Sequence, residues 1–328
     1  MAGRLARLCA ALASVAILAP LATASPQAPG FDLQAHRGGR GETTEESLRA
    51  FAKSLELGVS TLELDIVVTK DGQPLVWHDP TIDAEKCSDT GPVFAGDPDY
   101  PYVGKLVHEL ALVQIRTLDC GRQLAEFPSA EVVRGNKIAT LPEVFALADS
   151  YRASYPVRYN IETKVEADRP GRSAGPQEFV DVILAAVRSA GKADRVEIQS
   201  FDWRTLPMVH RAEPSIPLVA LYDEETWAPD SPWLDGIDAA VVGDPMIGAT
   251  VVGASIVSPS YTLVTGRPYI DHAHSLGLKV IPWTVNDADA MRAQIADGVD
   301  GIITDFPTLL RGVLAELGIP LPPPYHRG

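Results

Sequence analysis

The sequence predicts an α/β protein folded as a (β/α)8 barrel. Two observations lead there. Apolar, strand-like runs alternate with helical patterns almost throughout, the mark of repeated βα units. Eight such runs can be placed, and the chain of 328 residues accommodates a barrel of about 250. A doubly wound sheet is the alternative use of the same alternation.

The first strand is expected over residues 32–36 and the second over 61–67. Between them, 45–57 carries apolar residues at Leu48, Phe51, Ala52 and Leu55, the stripe of an amphipathic helix. A helix over 141–150 precedes the third strand at 159–164, and a helical pattern over 179–190 leads to the fourth at 196–200. The fifth lies at 218–221. Residues 254–258 are the sixth, in competition with 239–242. A helix over 268–276 precedes the seventh strand at 279–284, and one over 288–296 precedes the eighth at 301–305. The rhythm breaks between 80 and 137, a stretch rich in Pro, Gly and Asp that carries Cys87 and Cys120. It reads as an insertion after the second strand region, at the C-terminal end of the barrel where active-site loops lie. No internal repeat is found.

Arg4 and Arg7 precede an apolar run from Leu8 to about Leu21, and Ala22-Thr23-Ala24 stands before Ser25. That order reads as a secretory signal peptide over 1–24. The run is short for a membrane span of about 20 residues, and Pro20 interrupts it. Cys9 stands at the start of the run instead of following it, which argues against a lipid-attachment cysteine. The barrel with its insertion then occupies 31–318, and 319–328 is a proline-rich tail expected outside the core. Losing the leader removes two arginines and no acids, taking the formal charge from −15 to −17. Such acidity excludes a nucleic-acid partner, which requires a basic face, and gives solubility. No stable membrane insertion is expected. The mature pair Cys87 and Cys120 suits a disulfide in an oxidising compartment, with two buried thiols as the alternative. The chain is expected to be exported, either periplasmic or secreted.

The chemistry gathers where strands end. Glu63 and Asp65 are two residues apart on one strand, so both side chains point the same way. Glu162 and Lys164 repeat the spacing on the next main strand. Oxygen ligands of this kind favour Ca²⁺ or Mg²⁺. A polar strand end, or a buried Glu–Lys pair, is the plainer account of each. His36 and His78 each follow an apolar run, and imidazole can take or return a proton near neutral pH. Arg37 can present its fork of donors to phosphate. Asp79 can orient a histidine or cap the following turn. Glu45 stands at a helix start, where capping explains it and a site role is the sharper claim. Trp283 and Asn286 can line a polyol pocket; core packing accounts equally for the tryptophan. His272 and His274 lie in a helical segment, expected to face solvent. Together these groups read as a metal-assisted site for a phosphodiester.

In order along the chain, His36-Arg37-Gly38, Glu63-Leu64-Asp65, Asp71-Gly72, His78-Asp79, Glu162-Thr163-Lys164 and Trp283-Thr284-Val285-Asn286 resemble the motifs of the glycerophosphodiester phosphodiesterase family. Residues 298–305 resemble its closing strand, and the likeness runs from about Leu33 to Pro307. Thr44-Glu45-Glu46-Ser47 departs from the family's Pro-Glu-Asn-Thr element in three of four positions, which bears on packing around Glu45 and on the charge that Glu46 brings. The resemblance implies a (β/α)8 barrel that hydrolyses glycerophosphodiesters, such as glycerophosphocholine or glycerophosphoethanolamine, to glycerol 3-phosphate and an alcohol. It implies His36 and His78 as the acid–base pair, Glu63, Asp65 and Glu162 as ligands of a divalent cation, and Arg37 and Lys164 as phosphate contacts. Lipid cleavage of the phospholipase D type, or cleavage of polymeric envelope glycerophosphates, would use the same barrel. A barrel that only binds polyol phosphates is the non-enzymatic alternative.

Overall fold

The structure is a computed structural model that describes residues 30–328. The leader-like stretch and Cys9 lie outside the described residues. Eight parallel strands form the core: β1 (Asp32–Ala35), β2 (Thr61–Val68), β3 (Arg158–Thr163), β4 (Val196–Ser200), β5 (Leu218–Tyr222), β6 (Ile256–Pro259), β7 (Lys279–Val280) and β8 (Gly301–Thr304). From β1 to β7 each pairs with the next, and β8 pairs with β1. Between β7 and β8 the ring is nearly closed, with the Asp300 N–H donating to the Val280 carbonyl at 2.9 Å and the Ile303 N–H to that of Pro282 at 3.0 Å. A sheet that returns on itself is a (β/α)8 barrel and not a doubly wound sheet.

The strands lie close to where the sequence puts them, with two instructive differences. The seventh stops at Val280 instead of residue 284. Pro282, which has no N–H, can only accept toward β8, so the regular ladder lapses there. Residues 239–242 are a helical turn, not a rival sixth strand. Asp238 caps it by accepting the Ala240 N–H, and Gly243, at φ 70°, ends it. Among the strands, Pro74–Val76 was not expected: it folds back antiparallel on β2.

The helix Leu48–Leu57 begins at Ser47, whose hydroxyl accepts the Ala50 N–H, and buries Phe51, Ala52 and Leu55. It ends at Gly58 (φ 90°), where a Cβ would stand 2.8 Å from the Pro322 carbonyl. Only glycine tolerates both conditions. That contact also shows the tail packed onto the barrel rather than outside the core: Pro322 and Tyr325 are buried. Arg311 donates to the Pro322 carbonyl, and His326–Arg327 pairs with Tyr151–Arg152.

The insertion has an apolar cluster of its own, joining Ile82, Tyr102, Val107, Leu110, Ile115 and Leu118 to Val67, Leu75 and Trp77 of the barrel side. Cys87 and Cys120 are disulfide-bonded inside it. Among the described residues no helix is long and apolar enough to cross a membrane.

Candidate active site

Strand alternation and register assemble the acidic group. Glu63 and Asp65 leave β2 on the same side, and the β2–β3 register sets Asp65 opposite Glu162. All three side chains are buried, and one carboxylate oxygen from each lies within 4.8 Å of the others. Gln199 on β4 donates to Glu63 Oε1 at 2.6 Å. Below it a polar thread runs down the lumen through Asn160 and Gln34 to Glu197.

The charges of the cluster are uneven. Burial, and then the Asp65 charge, push the Glu63 carboxyl well above the usual carboxylate range. Burial drives Glu162 up to about 8, with Lys164 opposing and Asp65 adding to the rise. Asp65 goes the other way: burial opposes its ionisation, but the charges of Lys164, Arg37, His78 and His36 hold it low. Neither Asp65 side-chain oxygen has a hydrogen bond. Three converging buried carboxylates, with the Asp65 oxygens free of hydrogen bonds, fit a hard divalent cation such as Ca²⁺ or Mg²⁺.

His36 follows β1, and its Nδ1 lies 2.5 Å from Asp305 Oδ1, just beyond β8. Its Nε2 is 4.0 Å from Glu63 Oε2. His78 has its Nδ1 2.8 Å from Asp79 Oδ1. Burial, and then the charges of Arg37 and Lys164, depress His78 well below the ordinary imidazole range, so it is neutral at pH 7. Both rings are held through Nδ1, which leaves Nε2 for chemistry.

Arg37 sits in the left-handed region (φ 50°), its N–H donating to Glu63 Oε2 at 2.8 Å and its Nε 3.1 Å from Asp65 Oδ2. Lys164 Nζ lies 2.9 Å from Glu162 Oε1. Trp283 donates its indole N–H to the Ser258 carbonyl and stands edge-on to Phe201, with centroids 5.4 Å apart.

A cavity of about 250 Å³ is lined by His36, Arg37, Glu63, His78, Glu162, Lys164 and Trp283. Of the catalytic, cation and phosphate residues read from the sequence, Asp65 alone is absent from the lining, with its Oδ2 against Arg37 Nε. Arg40 and Phe201 also line it and were not anticipated as site residues. Neither was Asp305. Asn286 does not reach the cavity wall; it holds Asp305, donating to Oδ2 at 2.7 Å. Glu45 is not a helix cap, since Ser47 has that role. Glu45 instead lies 3.4 Å from Arg37, 2.7 Å from Arg40 and 2.6 Å from Lys86. Glu46 accepts the Asp65 N–H at 3.0 Å, so the departure at this position puts a carboxyl against the acidic cluster. Asp79 orients its own neighbour, His78. His272 and His274 are exposed, as expected, each against an aspartate, Asp244 and Asp300.

The model of the glycerophosphoryl diester phosphodiesterase family matches residues 36–309. A glycerophosphodiester phosphodiesterase of Caldanaerobacter subterraneus subsp. tengcongensis is 28% identical over 284 residues, covering 87% of this chain and 98% of its own. One from Bacillus subtilis is 29% identical over 285 residues, covering 85% of each chain. Among solved structures, a candidate glycerophosphoryl diester phosphodiesterase from Silicibacter pomeroyi aligns with a TM-score of 0.75 at 28% identity, over 88% of this chain and 94% of its own. A phosphodiesterase of Oleispira antarctica, solved with its product sn-glycerol-3-phosphate, aligns with a TM-score of 0.64 at 17% identity, over 89% and 97%.

Proposed function

The chain belongs to the glycerophosphoryl diester phosphodiesterase family and is an enzyme of that class, and from that premise we propose that it hydrolyses small glycerophosphodiesters, such as glycerophosphocholine or glycerophosphoethanolamine, to glycerol 3-phosphate and an alcohol, with a divalent cation bound. The observation that carries the reading is the convergence of Glu63, Asp65 and Glu162 to within 4.8 Å beside two histidines in one cavity.

Glu63, Asp65 and Glu162 would hold Ca²⁺ or Mg²⁺. The cation supplies neutralisation of charge at the phosphate. Arg37 and Lys164 line the same cavity and hold the non-bridging oxygens, with Arg37 offering planar donors and Lys164 a point charge. Trp283 and Phe201 form the apolar wall against which the carbon skeleton rests. One histidine takes the proton of the attacking hydroxyl at Nε2, whether that hydroxyl belongs to the glycerol C2 or to water. The other, which enters the turnover protonated at both ring nitrogens, gives its Nε2 proton to the departing alkoxide; His78, neutral at pH 7, suits the first task. Asp305 and Asp79 keep Nδ1 protonated and therefore keep Nε2 available.

The test is release of glycerol 3-phosphate from glycerophosphocholine by the purified protein, with added Ca²⁺ or Mg²⁺ and with chelator. Metal-dependent release is expected. Release unchanged by chelator sinks the metal assignment; no release by folded protein sinks the substrate class.

A lysolipid substrate is the second reading. It is favoured by Val93, Phe94 and Tyr100, exposed apolar residues of the insertion. A preference for lysophosphatidylcholine over glycerophosphocholine would select it. Export rests on the leader-like residues 1–24 and the Cys87–Cys120 bond. The N-terminal sequence of protein recovered outside the cytoplasm tests it, with Ser25 expected first.

A further inference from the structure

One side chain of the insertion reaches into the network that holds the proposed proton carriers. Lys86 Nζ lies 2.5 Å from Asp79 Oδ2 and 2.6 Å from Glu45 Oε1. The other oxygen of Asp79 is the partner of His78 Nδ1, at 2.8 Å. The Lys86 side chain is only 11% exposed, and its ammonium lies 5.0 Å from the centre of the Trp77 ring. It does not line the cavity that holds the histidines, so whatever it does there it does through other residues.

Its backbone is anchored as tightly as its tip. Cys87, the next residue, is bonded to Cys120. Ser88 and Asp119 exchange both backbone hydrogen bonds, and the Arg122 N–H donates to the Lys86 carbonyl. A lysine normally carries large rotamer freedom. Here the disulfide fixes one end and two carboxylates fix the other. Removing the ammonium would leave Asp79 with no cation at Oδ2, and its carboxylate would be free to turn off the imidazole.

We propose that Lys86 is a positioning residue for His78: by holding Asp79 Oδ2 it keeps Oδ1 on the imidazole Nδ1 and so aims Nε2 into the cavity. The inference rests on the reading of His78 as a proton carrier. It makes the insertion part of the catalytic apparatus although none of its residues lines the cavity.

A double-mutant cycle separates the two ideas. Turnover of glycerophosphocholine is measured for the full chain, with saturating Ca²⁺ or Mg²⁺. Lys86→Met lowers kcat by about tenfold or more, the usual size of losing a partner that orients a functional imidazole, with KM changed by less than about twofold. Lys86→Arg restores most of it. In a His78→Gln background the same change costs less than about twofold, because two residues acting through one group do not add. An equal loss in both backgrounds, or a rise in KM with kcat intact, overturns the proposal and moves Lys86 to the Glu45–Arg37 side and phosphate binding. Wild-type turnover in His78→Gln would overturn the reading of His78 itself. Lys86→Gln keeps a donor and serves where the methionine variant does not fold. The ring N–H resonance of His78 needs no substrate. It shifts or broadens in Lys86→Met, and an unmoved resonance also overturns the proposal.

Discussion

His36 and Asp305 meet across the seam between the first and last strands, with Nδ1 and Oδ1 2.5 Å apart. Strand register brings them together. Ala35 lies opposite Thr304, so the next residue of each strand arrives at the same level. Asn286 fixes the aspartate from behind, donating to its Oδ2 and accepting its backbone N–H at 2.9 Å. Burial alone would raise the Asp305 carboxyl. The hydrogen bond and charge of His36, with Arg40 and Asn286, hold it below its ordinary value. An ionised acceptor on Nδ1 holds that N–H in place and leaves Nε2 to exchange a proton with the substrate.

Asp305→Asn keeps the shape and removes the charge. The amide can turn an N–H toward Nδ1 and favour the wrong tautomer. We expect kcat to fall at least about tenfold with KM little changed. Steady-state kinetics on glycerophosphocholine checks this, and unaltered kcat would mean that Asp305 does not orient a working proton carrier.

His36→Ala and His78→Ala remove the proton carriers themselves. Each is expected to lower turnover by a factor on the order of 10² or more, the common size of acid–base effects. Near-wild-type rates in both folded variants would refute the assignment.

The acidic cluster was legible because strand alternation has a period of two, so Glu63 and Asp65 declare a shared face without any tertiary information. The histidines were legible as polar groups ending apolar runs. Asp305 ends one too, but its partner is 269 residues away, and only closure of the ring makes them neighbours. The same rule applied to every strand end would have found it. Lys86 carried no such signal, since its role depends on how the insertion folds back. Glu45 misled because an acid at a helix start has a cheap local explanation, while Ser47 two residues later takes the cap. Among helices, Thr205–Ala212 was missed because Pro207 sits inside it. A proline in the first turn is tolerated, yet it interrupts the pattern a reader follows.

The Cys87–Cys120 bond joins residues 33 apart in sequence. In the chain-entropy account a loop of that length is worth roughly 2–4 kcal/mol. The bond lies in the small cluster of the insertion, so its loss should fall there first. Cys87→Ser with Cys120→Ser is expected to lower Tm and to open 80–137 to limited proteolysis while the barrel resists. An unchanged melting curve and cleavage pattern would show that the cluster holds the insertion unaided.

The proposed cation site makes stability depend on pH in a direction that can be worked out. Burial and the Asp65 charge raise Glu63, and Glu162 stands at about 8. In the unfolded chain both ionise near about 4.3. Between about 4.3 and about 8 the folded protein holds more protons at these two groups than the unfolded one, so their contribution to stability falls as pH rises through that window. Glu197, at the other end of the lumen, is pushed up to about 7 by burial and then by Asp32, and it adds to the same slope. A cation acts differently on the two places. At the Glu63–Asp65–Glu162 group it replaces protons, so it should stabilise more at pH 8 than at pH 5 and release protons on binding. At Glu197 it should do nothing. Melting curves of chelator-treated protein from pH 5 to 8.5, with and without saturating Ca²⁺ or Mg²⁺, separate these contributions. Without cation Tm should fall with pH; the gain on adding cation should grow over the same range. Glu63→Gln should shrink that gain and leave the part of the slope that Glu197 supplies. A gain independent of pH, or one that survives Glu63→Gln intact, would place the cation elsewhere in the molecule.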